Sequence, residues 1–175
     1  YFVGRKIRTF PMHHGGSTCI ETVDEPTVAQ IGITSLQKVN FCGIVKIDMK
    51  KNPLDGTFKI LEVNPRYTLW ESLGAFAGMN LCAIAFHHQR GEPTEPVKHT
   101  YALGYKWLFF KQDFRAFLTG YWRSGEFTLT QYLNSLRGRK IYQLWDWKDP
   151  LPLCYSAGQF WGKQVGKVVH KVTRS

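Results

Sequence analysis

Residues 42–66 read CGIVKIDMKKNPLDGTFKILEVNPR, and the fold is decided by this stretch. Val45, Ile47 and Met49 alternate with Lys46 and Asp48, the period-2 pattern of a strand with one apolar and one charged face. Asn52-Pro53-Leu54-Asp55-Gly56 supplies turn residues, and residues 57–63 return as a second strand. A turn centred on Asp55 sets Asp48 opposite Glu62 and Lys46 opposite Asn64. Strand side chains two apart share a face, so Asp48, Glu62 and Asn64 lie together. Opposed Cβ atoms are about 4.5–5.5 Å apart, and like charges there repel. A hard divalent cation removes that repulsion. Two carboxylates and an amide oxygen suit Mg²⁺, with substrate phosphates completing the shell. Lys46 and Arg66 are then placed to touch those phosphates. A bulge near the turn would shift this register. On pattern alone, a solvent-facing hairpin with ordinary charges fits the same residues.

Working outward, residues 2–10 read as a strand with interleaved bases, 11–17 as a Pro- and Gly-punctuated loop, and 18–23 as a second strand. Asp24-Glu25-Pro26 opens a helix to about Val39, with Val28, Ile31, Ser35 and Leu36 as its buried stripe. One or two helices fill the stretch from Arg66 to Gln89, closed by Gly91-Glu92-Pro93. Residues 97–110 read as strand, and 112–119 and 128–137 as short helices. The second of these opens on a capping box from Thr128 to Gln131. Residues 139–156 read as aromatic, proline-containing loop or strand, and 158–172 as a basic helix. The fold class is α+β, with a mostly antiparallel sheet and flanking helices. Two parts are expected: residues 1–96, and a basic, aromatic extension, 97–175, packed on them.

The 175 residues fit one domain or one large subdomain. Opening on Tyr1 in strand-like sequence, the chain reads as a piece of a longer polypeptide. No apolar run approaches the ~18–20 residues of a membrane span. Cys19, Cys42, Cys82 and Cys154 form no CxxC pair and read as reduced, buried thiols of a cytoplasmic protein. His87-His88 reads as a dipole partner at a helix C-terminus. With 23 Lys+Arg against 13 Asp+Glu, the net charge of +10 favours an anionic partner. From Arg137 to Ser175 there are eight bases against two acids, interleaved with Trp145, Trp147 and Trp161. That tail suits packing on the sheet best. Peripheral contact with an anionic membrane stays open, and nucleic acid is disfavoured.

Glu62-Val63-Asn64-Pro65-Arg66, with Asp48 fourteen residues before the Glu and Asp55-Gly56 at the turn, resembles the metal-binding end of the ATP-grasp superfamily. The resemblance implies Mg²⁺ or Mn²⁺ ligands at Asp48, Glu62 and Asn64, bridging ATP phosphates, with Arg66 near the transferring phosphoryl group. Gly4-Arg5-Lys6-Ile7-Arg8-Thr9-Phe10-Pro11 and His13-His14-Gly15-Gly16-Ser17 resemble the strand and glycine-rich loop ahead of the helix in that superfamily. Carbamoyl-phosphate synthetase large subunits carry an H-x-G-x-S loop there. The combination with Gly78-Met79-Asn80-Leu81 and Asp149-Pro150-Leu151-Pro152 looks closer to the predicted ligases grouped with D-aspartate ligase.

By this resemblance the chain is the C-terminal half of an ATP-dependent carboxylate–amine (or thiol) ligase. ATP phosphorylates a carboxylate, an amine attacks the acyl phosphate, and ADP and phosphate leave. Arg66, Arg8 and His13 are the catalytic candidates. Lys46, Lys6, Gly15, Gly16 and Ser17 are the nucleotide-binding candidates, with Lys6 read on the same strand face as Arg8. The partners implied are ATP, a small carboxylate and an amine, the N-terminal half of the same enzyme and, as an option, a second copy. The competing reading is a non-catalytic basic module, for nucleic acid or anionic membrane, on a degenerate ATP-grasp scaffold.

Overall fold

The computed structural model describes residues 1–92, 100–146, 148–156 and 158. It is a mixed α and β structure. Four strands form one sheet in the order β1 (Gly4–Phe10), β2 (Gly16–Thr22), β5 (Lys106–Leu108), β6 (Lys140–Tyr142). The first two pairings are antiparallel and β5–β6 is parallel. β3 (Lys46–Lys51) and β4 (Phe58–Asn64) make a separate antiparallel hairpin. The helices are α1 (Pro26–Lys38), α2 (Glu71–Phe76), α3 (Leu81–Gln89), α4 (Phe110–Ala116) and α5 (Leu129–Ser135). A π-helical turn, Phe117–Tyr121, continues α4.

Both expected parts of the chain contribute to the four-stranded sheet: β1 and β2 precede residue 96, and β5 and β6 follow it. Their expected boundary, the ends of Gly91-Glu92-Pro93 and the 97–110 strand, Trp147, Trp161 and the basic helix at 158–172 fall wholly or partly outside the described residues.

Local chemistry explains most of the elements. Pro26 sits in the first turn of α1, where a missing N–H costs nothing. Gly32 is the buried point of α1, over Ile47 and Met49, while Val28, Ile31, Ser35 and Leu36 are only half-buried. Asn80 caps α3 through its side chain. Thr128 and Gln131 form the expected capping box of α5. His87 and His88 lie in the last turn of α3, as expected. The expected strand 97–110 is described only as the short β5. Gly104 turns the chain at positive φ before it, and α4 begins at Phe110.

Two apolar clusters flank the sheet. Ile20, Leu73 and Trp107 lie on the α2 side with Phe2 and Trp70. Ala116, Phe117, Tyr121 and Tyr132 lie under α4 and α5 with Phe10, Met12 and Phe127. Cys19 is the one buried cysteine, and Cys42, Cys82 and Cys154 are exposed, contrary to the expectation for all four. Among the described residues no helix is long and apolar enough to cross a membrane.

Candidate functional site

The hairpin places Asp48 opposite Glu62 and Lys46 opposite Asn64, the register read from the sequence. It reaches that register by another route. Met49 pairs with Ile60, so Leu61 is an extra, bulged residue, and the pairings nearer the turn are shifted by one. The bulge lies between the turn and the polar pairs and leaves their facing intact.

Asp48 is the best-anchored of the polar residues. Lys6 Nζ lies 3.0 Å from its Oδ1 and Lys46 Nζ 2.6 Å from its Oδ2. Burial raises the pKa of this carboxyl, but the two ammonium groups outweigh burial and hold it below the ordinary value. Asn64 is half-buried, and its Nδ2 is buried without a hydrogen-bond partner. Glu62 is exposed and makes no ion pair among the described residues. Arg66 is exposed, with Nη1 donating to the Tyr67 carbonyl at 3.3 Å. Among the described residues no three His, Cys, Asp or Glu side chains gather into a metal-binding group. What the hairpin register does bring to one face is two carboxylates, Asp48 and Glu62, and the Asn64 amide.

Lys6, Lys46 and Asp48 open on a cleft of about 530 Å³ between β1, β3, α1 and the start of α2. That volume lies in the usual range for small-molecule sites. Its apolar wall includes Ile33, Ile47, Met49 and Trp70. Glu71 also lines it, and sequence reading missed this residue. Its Oε2 accepts from the backbone N–H and hydroxyl of Thr68, while Oε1 is buried with no partner. The signal was present: Thr68-Leu69-Trp70-Glu71 is the T-x-x-E pattern of a helix start.

Arg8 is a correction. It is 1% exposed and faces away from the cleft. Ile7 is a bulged residue, since Lys6 pairs with Ile20 and Arg8 with Cys19. One extra residue reverses the alternation, so Lys6 and Arg8 lie on opposite faces instead of sharing one. Arg8 Nε and Nη2 donate to Asp113 Oδ1 and Oδ2, both at 2.8 Å, and Nη1 to Ser135 Oγ at 2.6 Å. Thr18 Oγ1 donates to Asp113 Oδ1 at 2.9 Å. The guanidinium lies 4.8 Å from the Tyr132 ring centroid and 5.6 Å from that of Phe127. Burial disfavours its charge, but Asp113 more than compensates, and its pKa rises. With its donors committed and no solvent access, Arg8 holds the fold and does not face a substrate.

The His13 loop is also elsewhere. His13 has φ +67°, its Nε2 lies 2.9 Å from Glu126 Oε1, and its ring meets Tyr121 edge-on. Gly15 has a structural reason for being glycine: a Cβ there would lie 1.9 Å from the Phe10 carbonyl. Gly16 and Ser17 are paired in the β1–β2 ladder with Phe10 and Thr9. None of His13, Gly15, Gly16 or Ser17 lines the cleft. The loop is held by the π turn and its flank, which separates it from Asp48. The structure thus joins Lys6, Lys46 and Asp48 and sets Glu62 and Asn64 across the hairpin, but leaves Arg8 and the loop apart. No family model, curated protein or solved structure matches this chain.

Proposed function

We propose that the chain is the metal- and phosphate-binding part of an ATP-dependent carboxylate–amine (or thiol) ligase of the ATP-grasp type. One observation carries the reading: Asp48 facing Glu62 and Lys46 facing Asn64, with Pro65-Arg66 directly after the strand. The Glu62 carboxylate, which makes no ion pair among the described residues and faces Asp48 across the hairpin, supports a site for Mg²⁺ or Mn²⁺ to which the Asn64 side-chain oxygen could add. A bound divalent ion would neutralise charge on the ATP phosphates.

The remaining work falls to this chain's own side chains. Lys6 and Lys46 neutralise Asp48 and line the cleft, so they can turn to phosphate oxygens when Asp48 takes a cation. Arg66 stands exposed at the end of β4 and can offer a forked donor to a phosphoryl group. The apolar wall of the cleft lowers the local dielectric around those charges. Arg8 and His13 have no part in this reading.

Calorimetric titration of Mg·ATP into the intact chain tests it. Asp48→Ala/Glu62→Ala is expected to weaken binding about tenfold or more. Unchanged Mg·ATP binding by that variant overturns the site, and binding of nucleic acid in place of nucleotide favours the basic-module reading.

A further inference from the structure

We propose that the outer face of α4 and its π turn is a docking surface for anionic membranes. The inference is independent of the hairpin. From Phe110 to Arg123 the chain reads FKQDFRAFLTGYWR. An apolar residue is followed directly by a base at Phe110-Lys111, Phe114-Arg115 and Trp122-Arg123, with Leu118-Thr119 completing the four-residue spacing.

The structure turns this spacing into a stripe. Asp113, Ala116, Phe117 and Tyr121 face the core, while Phe110, Phe114 and Trp122 are 53%, 44% and 55% exposed. In a regular α-helix each four-residue step drifts about 40° around the axis. The wider π turn, closed by Trp122 N–H donating to the Phe117 carbonyl at 2.9 Å, offsets that drift at the last step. Leu118, Trp122 and Arg123 accordingly line one shallow surface hollow. Leu129 and Leu133, one turn apart on α5, add further exposed apolar surface, and α5 packs its Tyr132 against Phe117.

The charge around the stripe selects the partner. Between residues 110 and 137 the acids are Asp113 and Glu126. Asp113 is sealed against Arg8, and Glu126 is held by His13. Arg115 and Arg123 are exposed beside the apolar residues, on a chain of net charge +10. Apolar and aromatic residues flanked by bases match an interface with anionic headgroups above acyl chains. Single-stranded nucleic acid fits less well, because base stacking needs free ring faces. Here Phe110 and Phe114 stack on each other, and Trp122 stacks on Phe117.

Co-sedimentation of the full chain with vesicles tests the proposal, using phosphatidylcholine alone or with roughly one-third phosphatidylserine. The expected result is binding to the mixed vesicles that weakens in high salt. Phe110→Ser/Arg123→Ser changes two exposed residues and should cut partitioning about tenfold with circular dichroism unchanged. Lys38→Ala/Lys59→Ala, which removes two bases elsewhere, should keep it. Equal binding to both vesicle types, retention by the stripe variant, or tighter binding to single-stranded DNA at the same salt overturns the proposal. So does a concentration-dependent dimer that the stripe variant abolishes.

Discussion

β1 carries two basic residues, two positions apart, that each reach an aspartate, and the two ion pairs have opposite characters. Arg8 and Asp113 are sealed, with side chains 0% exposed on both sides. Lys6 and Asp48 open on the cleft, with side chains 38% and 15% exposed. The bulge at Ile7 is what sends them to different faces. A sealed, bidentate pair ties β1 to α4 and has nothing left to offer a ligand. A pair at a cleft, shared between two lysines, can exchange partners. Identical charge chemistry therefore supports architecture on one face of the sheet and a candidate binding function on the other.

The largest effect that would break this contrast is on stability. Asp113→Ala leaves Arg8 charged and buried, and should cost about 3–5 kcal/mol in urea unfolding. Arg8→Met/Asp113→Leu removes both charges and should recover most of that loss. If Asp113→Ala is mild, the sealed pair is not what distinguishes the two faces.

Cys19 reports on the same sealed face, since it pairs with Arg8 across the strands. Burial, the largest influence, pushes its thiol up to about 12. Titration with a thiol reagent near neutral pH should count Cys42, Cys82 and Cys154 in the native chain and Cys19 only after denaturation. Four fast thiols would mean the face is open. A smaller effect belongs to the cap of α5, the helix that presents Ser135 to Arg8. Thr128→Ala should destabilise by about 1 kcal/mol in the same urea assay.

The smallest effect is expected at the cleft, and its sign is fixed by Asp48. Its pKa is depressed in the folded chain, so its contribution is present above the ordinary carboxylate range. It is lost as pH falls through the lower folded value. Unfolding free energies of the wild type and Asp48→Asn from urea titration should differ by about 0.2–1 kcal/mol near neutrality and converge as pH falls below the ordinary carboxylate range. A gap that stays constant with pH would remove Asp48 as its source.

What was legible in the sequence follows from the range of the interactions. The hairpin register, the Pro26 helix start and the Thr128–Gln131 box depend on neighbours within about twenty residues, and each is found where the pattern put it. The role of Arg8 depends on Asp113, 105 residues away, and on a bulge that no alternation pattern announces. The loop from His13 to Ser17 has glycine where a tight return to Phe10 requires it, and that need looks the same in sequence as a phosphate cradle. Glu71 was hidden for the opposite reason: a helix-start signal is local and bland, and only the fold turns it toward the cleft.

The most direct measurement is paramagnetic broadening by Mn²⁺ in the presence of ATP, read on the assigned backbone amides. Broadening that is strongest at Asp48, Glu62 and Asn64 and fades with distance toward α4 and α5 is the predicted result. Broadening centred on His13 and His14, or none at the hairpin, would contradict the account.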